Sequence, residues 1–473
     1  METARKSRRC LRHIFRWGFR LALLTVLVLA GGFGGFFAPQ LHHHFLLFPK
    51  QAAAWKELAA RRTPVGLQTG WNEYRGVMHS HSHISHDSEV EFPEIVEALK
   101  KAKCQFIFMT DHVVDGKADY SLGWNGIHDG ILFVRGFEMQ EGFMPWGLPQ
   151  GTILSNSANP AEQAKEIRQL GGVLCLAHCE AWRPWDIPEI DGMEIYNIHT
   201  NLIAEMVQRR SRIEVVKEAL INMYAYPDQT LRSTFEWWVL RTLVQKWDEE
   251  NLHRKLTGIA ANDCHQNVGL RAIYTAQDTL LLLDTGHSDP KRKIWEHKLN
   301  AVTRLMLRLC FGPIEPGKQL FRVDLDPYER SARFVNTHLL AKELTEPALL
   351  DAVRSGRAFV AFNMIADASG FAFVAQRNGQ QATMGERIAL APGLKLRAEA
   401  PLPCRFTLVR DGKKETEQEG KAFAYDVTTP GKYRIEADLP IPGEEAISGE
   451  RFSSNMAPWI LTNPIEVIAQ VLP

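Results

Sequence analysis

Two imidazoles at alternate positions, His79 and His81, close an apolar strand-like run, and Asp87 follows in the same loop, within Val77-Met78-His79-Ser80-His81-Ser82-His83-Ile84-Ser85-His86-Asp87-Ser88. Alternate residues of an extended chain face the same way, so His79 and His81 can grip a single divalent cation together. A lone His-x-His pair is weak evidence. Here the same residue types recur at the ends of other apolar runs. Residues 106–110 lead into Asp111-His112, 131–137 into Glu138, 172–177 into His178, 193–196 into Asn197, and 256–261 into Asn262-Asp263-Cys264-His265.

Residues so far apart in sequence act together only if a scaffold carries them to one place. Helix-like segments at 91–102 and 160–170 lie between the apolar runs, giving a repeated order of strand, chemistry-bearing residue and helix. That is the logic of an α/β barrel, whose strand ends and following loops share one face.

The order and local wording resemble the PHP family, named for polymerase and histidinol phosphatase domains. The resemblance rests on His79-Ser80-His81-Ser82 with Ser85-His86-Asp87-Ser88, then Thr110-Asp111-His112, Gly136-Phe137-Glu138, Ala177-His178, Glu194-Ile195-Tyr196-Asn197 and Asn262-Asp263-Cys264-His265, and covers residues 73–275. It implies an α/β fold, a distorted TIM-like (β/α)7 barrel with residues 152–154 as the fourth strand. It also implies that His79, His81, Glu138 and Asp263 bind one metal, Glu138 bridging to a second. Asp87, His112 and His265 hold another, and His178 serves the metal that shares Glu138. The family pattern has a further His where this chain has Phe143, so two metals (Zn, Mn or Fe) are expected rather than three, with His199 or Glu194 as substitute ligands.

Neighbouring residues have simpler readings. His83 and His86 are expected to face solvent or support the ligands, and Asp111 to orient a histidine. Cys179 stands where the family often has Pro and reads as a buried, inert thiol. The triplet His42-His43-His44 follows an apolar stretch and reads as interfacial. Arg183 and Arg271 are candidates for holding an anionic substrate group.

The formal net charge is zero, but residues 1–20 carry seven Lys or Arg against one Glu, leaving a mildly acidic body. That balance argues against a broad nucleic-acid-binding surface. The seven scattered cysteines give no disulfide framework. No charged residue occurs between Arg20 and Lys50, and residues 21–41 read as a transmembrane signal anchor, basic end in the cytoplasm and body on the far side, with a cleaved signal peptide as the alternative. The remaining divisions are a linker at 42–72, the barrel at 73–276 with a helical insertion at 200–255, a barrel extension at 277–366, and a β-sandwich accessory domain at 367–473. The sandwich reading rests on short alternating strands and turns such as Asp411-Gly412 and Pro430-Gly431.

The resemblance implies a metal-dependent phosphoesterase using a metal-bridged hydroxide, with Glu138, Asp263 and His265 central to catalysis and a small-molecule or envelope phosphoester as substrate. Two other readings stand beside it: a hydrolase of carboxylic esters, amides or carbamates, and a non-catalytic metal-binding envelope module.

Overall fold

A computed structural model of the chain describes residues 17, 20, 23–28, 30–204, 212–233, 235, 237–440 and 456–469. Most of the basic segment 1–20, part of the helical insertion (205–211) and the last residues of the chain lie outside the described residues. The protein is mixed α/β, and one large sheet runs through most of it.

Seven strands close a circuit of pairings. β1 (Asn72–Ser80) pairs in parallel with β2 (Phe106–Phe108), and β2 with β3 (Ile131–Val134). Just past β3, Gly136 bridges to Trp146 at the end of β4 (Phe143–Trp146). β4 pairs antiparallel with β5 (Val173–Leu176), which continues in parallel to β6 (Gly192–Asn197) and β7 (Thr257–Cys264). β7 returns to β1 through Met78↔Ala261 and Ser80↔Cys264. β2, β3 and β5 are buried at every position, as their unbroken apolar wording requires of strands covered on both faces, and so is β7 despite Thr257, Asn262 and Asp263.

The fourth position of the circuit is not the expected segment 152–154. Ile153–Ser155 pairs with Lys117–Asp119 in a separate two-stranded ladder and buries only its middle residue. The place is taken by Phe143-Met144-Pro145-Trp146, buried throughout, and this strand runs opposite to its neighbours. Gly136 permits the arrangement, because a Cβ there would lie 2.3 Å from the Trp146 ring.

The six strands running in one direction end on a common side, where the chemistry-bearing residues cluster. Helices stand between them as read from sequence: Phe92–Lys101 buries Ile95, Val96 and Leu99, and Pro160–Gln169 starts at Asn159, whose side chain accepts from the amides of Ala161 and Glu162. The insertion after β6 contains helices Ile198–Ala204, Arg212–Asn222, Pro227–Ser233 and Trp237–His253. Trp247 is wholly buried and donates to Leu256 O, whereas the side chains of Trp237 and Trp238 lie outside the described residues.

Beyond β7, Gly269–Tyr274, Thr279–Leu283, Trp295–Lys298 and Gln319–Asp324 form a separate four-stranded sheet. The chain then returns to β1 as the antiparallel strand Asn336–Ala341, which pairs with Ala358–Ala361, and that strand pairs with Met456–Thr462 among the C-terminal strands. The C-terminal strands are therefore hydrogen-bonded into the same sheet system as the circuit. Lys395–Arg410 is one long strand, with a register shift between Glu399 and Cys404. Pro401 and Pro403 fall at that shift, where a missing N–H does least harm.

No single helix among the described residues is long and apolar enough to cross a membrane. The span expected at 21–41 bends by 80° between Leu23–Phe36 and Ala38–Ala60, a pair that passes together by length and composition. Pro39 opens the second helix; a proline inside a continuous helix would lack its N–H and clash with the preceding turn.

Asn463 stitches the C-terminal strands to β7: its Oδ1 accepts from Gly258 N, and its Nδ2 donates to Gly258 O and Ala358 O, all buried. Asn463→Ala leaves buried backbone groups of Gly258 without these partners, and is expected to lower stability by about 2–4 kcal/mol, at ~1–3 kcal/mol per orphaned group. Urea unfolding of the two proteins measures the difference; a loss below about 0.5 kcal/mol, less than one such group, would show that the joint does not couple the two regions.

Candidate metal centre

The ends of β1 and β7 bring the first group together. His79 lies near the end of β1, His81 just beyond it and Asp263 near the end of β7, and the parallel pairing of these strands sets them side by side. His79 Nε2 and His81 Nε2 are 3.1 Å apart, and each is 3.2 Å from Asp263 Oδ1. Glu138 Oε2 stands 3.5 Å from His79 Nε2 and 3.8 Å from His81 Nε2. His79, His178 and Asp263 all adopt positive φ, at 68°, 48° and 49°, a conformation that costs a non-glycine residue about 1–3 kcal/mol and is concentrated at functional sites.

A second group lies on the other side of His81. Asp87 Oδ2 is 3.5 Å from His112 Nε2 and 3.4 Å from His265 Nε2, and the His81 and His265 rings stack at 3.8 Å. A short parallel ladder, Asp111–His112 against Phe137–Glu138, holds His112 beside Glu138, with His112 Nδ1 3.4 Å from Glu138 Oε2. The other oxygen, Glu138 Oε1, faces His178 Nε2 at 3.2 Å. Glu138 thus stands between separate sets of imidazoles. His199 Nδ1 lies 3.6 Å from Asp263 Oδ2 on the opening side.

Partners behind the cluster decide which imidazole nitrogen faces inward. Glu194 Oε1 is 2.5 Å from His79 Nδ1, and His265 Nδ1 donates to Asp263 O at 2.9 Å. Ser85 Oγ receives His81 Nδ1 at 3.1 Å and the amide of His112 at 2.8 Å, while donating to Asp111. In each case the Nδ1 proton is committed outward and the Nε2 lone pair turns toward the neighbouring carboxylates.

Electrostatics follow from this crowding. Burial disfavours charge on His79, yet Asp263, Glu194 and Glu138 outweigh it and raise its pKa well above the ordinary value. Burial is likewise outweighed at His178, pushed up to about 11 by hydrogen bonds with Glu138 and Glu180. His81 is lowered to about 3 by its own burial and by His265. Glu138 and Asp263 are held well below the carboxylate range because the charge on His79 overrides their desolvation.

The residues fit divalent cations. Metal–donor bonds of ~2.0–2.2 Å in tetrahedral geometry set donor atoms roughly 3.3–3.6 Å apart, close to the spacings here. Asp87 Oδ1, Asp263 Oδ1 and His265 Nε2 are buried without a hydrogen-bond partner, which a site for a cation explains. Among the described residues, four overlapping sets have donor atoms close enough to share an ion: His81, Asp87, His112 and His265; His79, His178 and Asp263; His79, His81 and Glu138; His199, Asp263 and His265.

Other candidates fall elsewhere. Arg271 forms a two-pronged pair with Glu89 at 2.7 and 3.0 Å, so its charge is already matched. Arg183 donates to the carbonyls of Ala177 and Trp182 and lies against Gly142, tying down the loop after β5. Both arginines, expected to hold a substrate anion, make these contacts within the chain. Glu194 is no substitute ligand, since its oxygens are engaged by His79, the His178 amide and Asn197. Asp111 reaches His81 and the His112 amide through Ser85, and also accepts from Ser82. Phe143 is wholly buried in the reversed strand. His83 pairs with Glu91, Cys179 is a buried thiol with a raised pKa, and His43 and His44 bond to Glu218 and Asn222 in the helical insertion. Ser85, Glu180 and Thr200 were not singled out in the sequence; the Ser82-x-x-Ser85 spacing beside Asp111 is the only local trace of this support.

No family model matches the sequence, and no curated protein matches it. Among solved structures, a two-domain protein from Bacteroides vulgatus ATCC 8482, described as containing a predicted PHP-like metal-dependent phosphoesterase, aligns with a TM-score of 0.34 and 13% identity, over 85% of this chain and 99% of that one.

Two outcomes follow from the protonation pattern. Without metal, His79 and His178 hold protons at neutral pH, so a cation must displace them and binds more tightly as pH rises. Titration calorimetry with Mn²⁺ or Zn²⁺ in buffers of different ionisation enthalpy should show net proton release, with higher affinity at pH 8 than at pH 6; affinity independent of pH would contradict this. Glu194→Gln, which removes the charge behind His79, should weaken metal affinity about 10–100-fold with the fold intact by circular dichroism.

Proposed function

We propose that the chain is a metal-dependent hydrolase acting on phosphate esters, with two divalent ions (Zn, Mn or Fe) in the cluster. The observation that carries this reading is Glu138, whose two oxygens face different imidazoles, Oε1 toward His178 and Oε2 toward His79, His81 and His112. When bound, paired divalent ions acidify water and neutralise charge on phosphoryl oxygens. Within that scheme His79, His81 and Asp263 hold one ion, and Asp87, His112 and His265 the other. Glu138 sets the separation between them. His112, His178 and His199, the more exposed imidazoles, border the opening through which substrate enters.

Several broader features belong to the same proposal: a TIM-like barrel of PHP type for the circuit of strands, and an accessory role for the C-terminal strands. Residues 21–41 serve as the membrane anchor, holding the catalytic body on the far side of a bacterial inner membrane, where an envelope phosphoester rather than a nucleic-acid polymer is the substrate.

The test combines metal analysis with a turnover screen of p-nitrophenyl phosphate, bis-p-nitrophenyl phosphate and p-nitrophenyl acetate in Mn²⁺, Zn²⁺ or Fe²⁺. Two metals per chain and phosphoester turnover are expected, and Glu138→Gln should lower kcat by at least about 10²-fold while reducing metal content. Wild-type turnover in both Glu138→Gln and His265→Ala at full metal content would remove the assignment. Cleavage of the carboxylic ester alone would move the substrate class to carboxylic esters, amides or carbamates.

A further inference from the structure

The helix Ala301–Phe311 buries none of its residues. It is nevertheless well formed, closed at its start by a reciprocal capping box between Asn300 and Thr303 and at its end by Gly312 at φ 75°. Val302, Leu305, Met306 and Leu309 fall at i, i+3, i+4 and i+7 and form one apolar stripe, with Val302 67% and Leu309 77% exposed. Arg304 and Arg308 lie on the opposite side of the helical wheel. Ile294 and Trp295, in the approach to the helix, are also exposed.

The face opposite the stripe meets the sheet, and further exposed apolar residues lie on elements joined to it. Phe311 meets Phe321 of the four-stranded sheet with ring centres 6.1 Å apart, and Asp324 O of that strand accepts from Tyr224 Oη at 3.4 Å. Tyr224 follows the helix Arg212–Asn222, whose Ile213, Val216 and Leu220 are spaced i, i+3, i+7 and are all exposed. Lys217 of that helix lies 4.4 Å over the Phe36 ring, at the end of the apolar helix Leu23–Phe36. Exposed Phe45 and Leu46 follow the 80° bend. Helices linked through these contacts thus leave apolar side chains exposed.

Charge selects what covers them. Residues 290–320 carry seven Lys or Arg against Glu296 and Glu315, within a body that is otherwise acidic. A second copy docking face to face would set those cations against one another. A basic, amphipathic helix with a bare apolar stripe has the composition of an element lying in a membrane interface. We infer that the stripes of Ala301–Phe311 and Arg212–Asn222 rest in the headgroup region of an anionic lipid bilayer, a contact separate from the apolar helix Leu23–Phe36.

Cys310 offers a probe, since it is exposed on the same helix while Cys104, Cys175, Cys179, Cys264 and Cys404 are buried. The full chain carrying Cys10→Ser, labelled with bimane at Cys310 under native conditions, is reconstituted into phosphatidylcholine vesicles with and without phosphatidylglycerol. Bromine on the lipid acyl chains should quench the label about twofold or more in the anionic vesicles and less without phosphatidylglycerol, as expected for an interfacial helix. Bimane placed by Lys395→Cys, in a Cys10→Ser, Cys310→Ser chain, should not be quenched. Leu305→Glu with Leu309→Glu should abolish quenching at Cys310 without shifting thermal unfolding, because both side chains are exposed. Absence of quenching at Cys310 in the anionic vesicles would overturn the inference, as would efficient disulfide cross-linking of two chains through Cys310, which would assign the face to a second copy.

Discussion

Lone pairs and negative charge converge on Asp263 Oδ1, and much of the structure exists to hold that convergence in place. Two imidazole nitrogens stand 3.2 Å from this oxygen and 3.1 Å from each other, with their outer nitrogens bound elsewhere. Such a group of donors repels itself unless positive charge lies among them. Protons supply it in the bare protein, which is why burial fails to depress the pKa of His79 and His178. A divalent ion is the stronger solution, satisfying several lone pairs at once and pairing with Glu138 and Asp263.

The scaffold maintains this geometry by removing alternatives. His79 is wholly buried and bonded to Glu194, itself wholly buried, so the ring cannot rotate away without stranding a carboxylate in the interior. The positive φ values at His79, His178 and Asp263 are tolerated because the adjoining strands are paired on both sides and packed among fully buried residues. Strain at strand ends turns side chains toward the centre. The reversed strand Phe143–Trp146 shows the converse: at the same end of the circuit it presents its start rather than its finish, and supplies an apolar residue.

Much of the site was legible because it depends on strand ends, and strand ends are marked by apolar runs. His79, His81, Asp87, His112, Glu138, His178, Asp263 and His265 all close or follow such runs, and the structure brings them to one place. The partners of the arginines were not legible, for a physical reason. A guanidinium near a ligand looks available in sequence, but its partners are remote: Glu89 lies 182 positions before Arg271. Glu194 was read as a possible ligand because its residue type permits it, while its burial and three hydrogen bonds are products of tertiary packing. The fourth strand was misplaced because 152–154 and 143–146 are both short and apolar, and only burial on both faces separates them. The apolar face of Ala301–Phe311 is read from periodicity alone, but whether anything packs on it is a matter of tertiary structure.

The four-stranded sheet gives that apolar region a connection to the centre. Glu89, two residues after Asp87, is held by Arg271 from the strand Gly269–Tyr274 and by Ser288. Arg292 donates to His86 O, and Gly286 approaches so closely that a Cβ there would lie 2.5 Å from Asp87 O. The loop carrying Asp87 is therefore clamped against the sheet that leads, through Trp295–Lys298, to the helix Ala301–Phe311. Whatever covers the apolar stripe presses on an element tied by charged hydrogen bonds and backbone packing to one carboxylate of the metal cluster. Rigid pairing at Arg271 and close backbone contact at Gly286 leave that loop little freedom to move independently, so the position of Asp87, and with it the second group of donors, is fixed relative to the surface that bears the stripe.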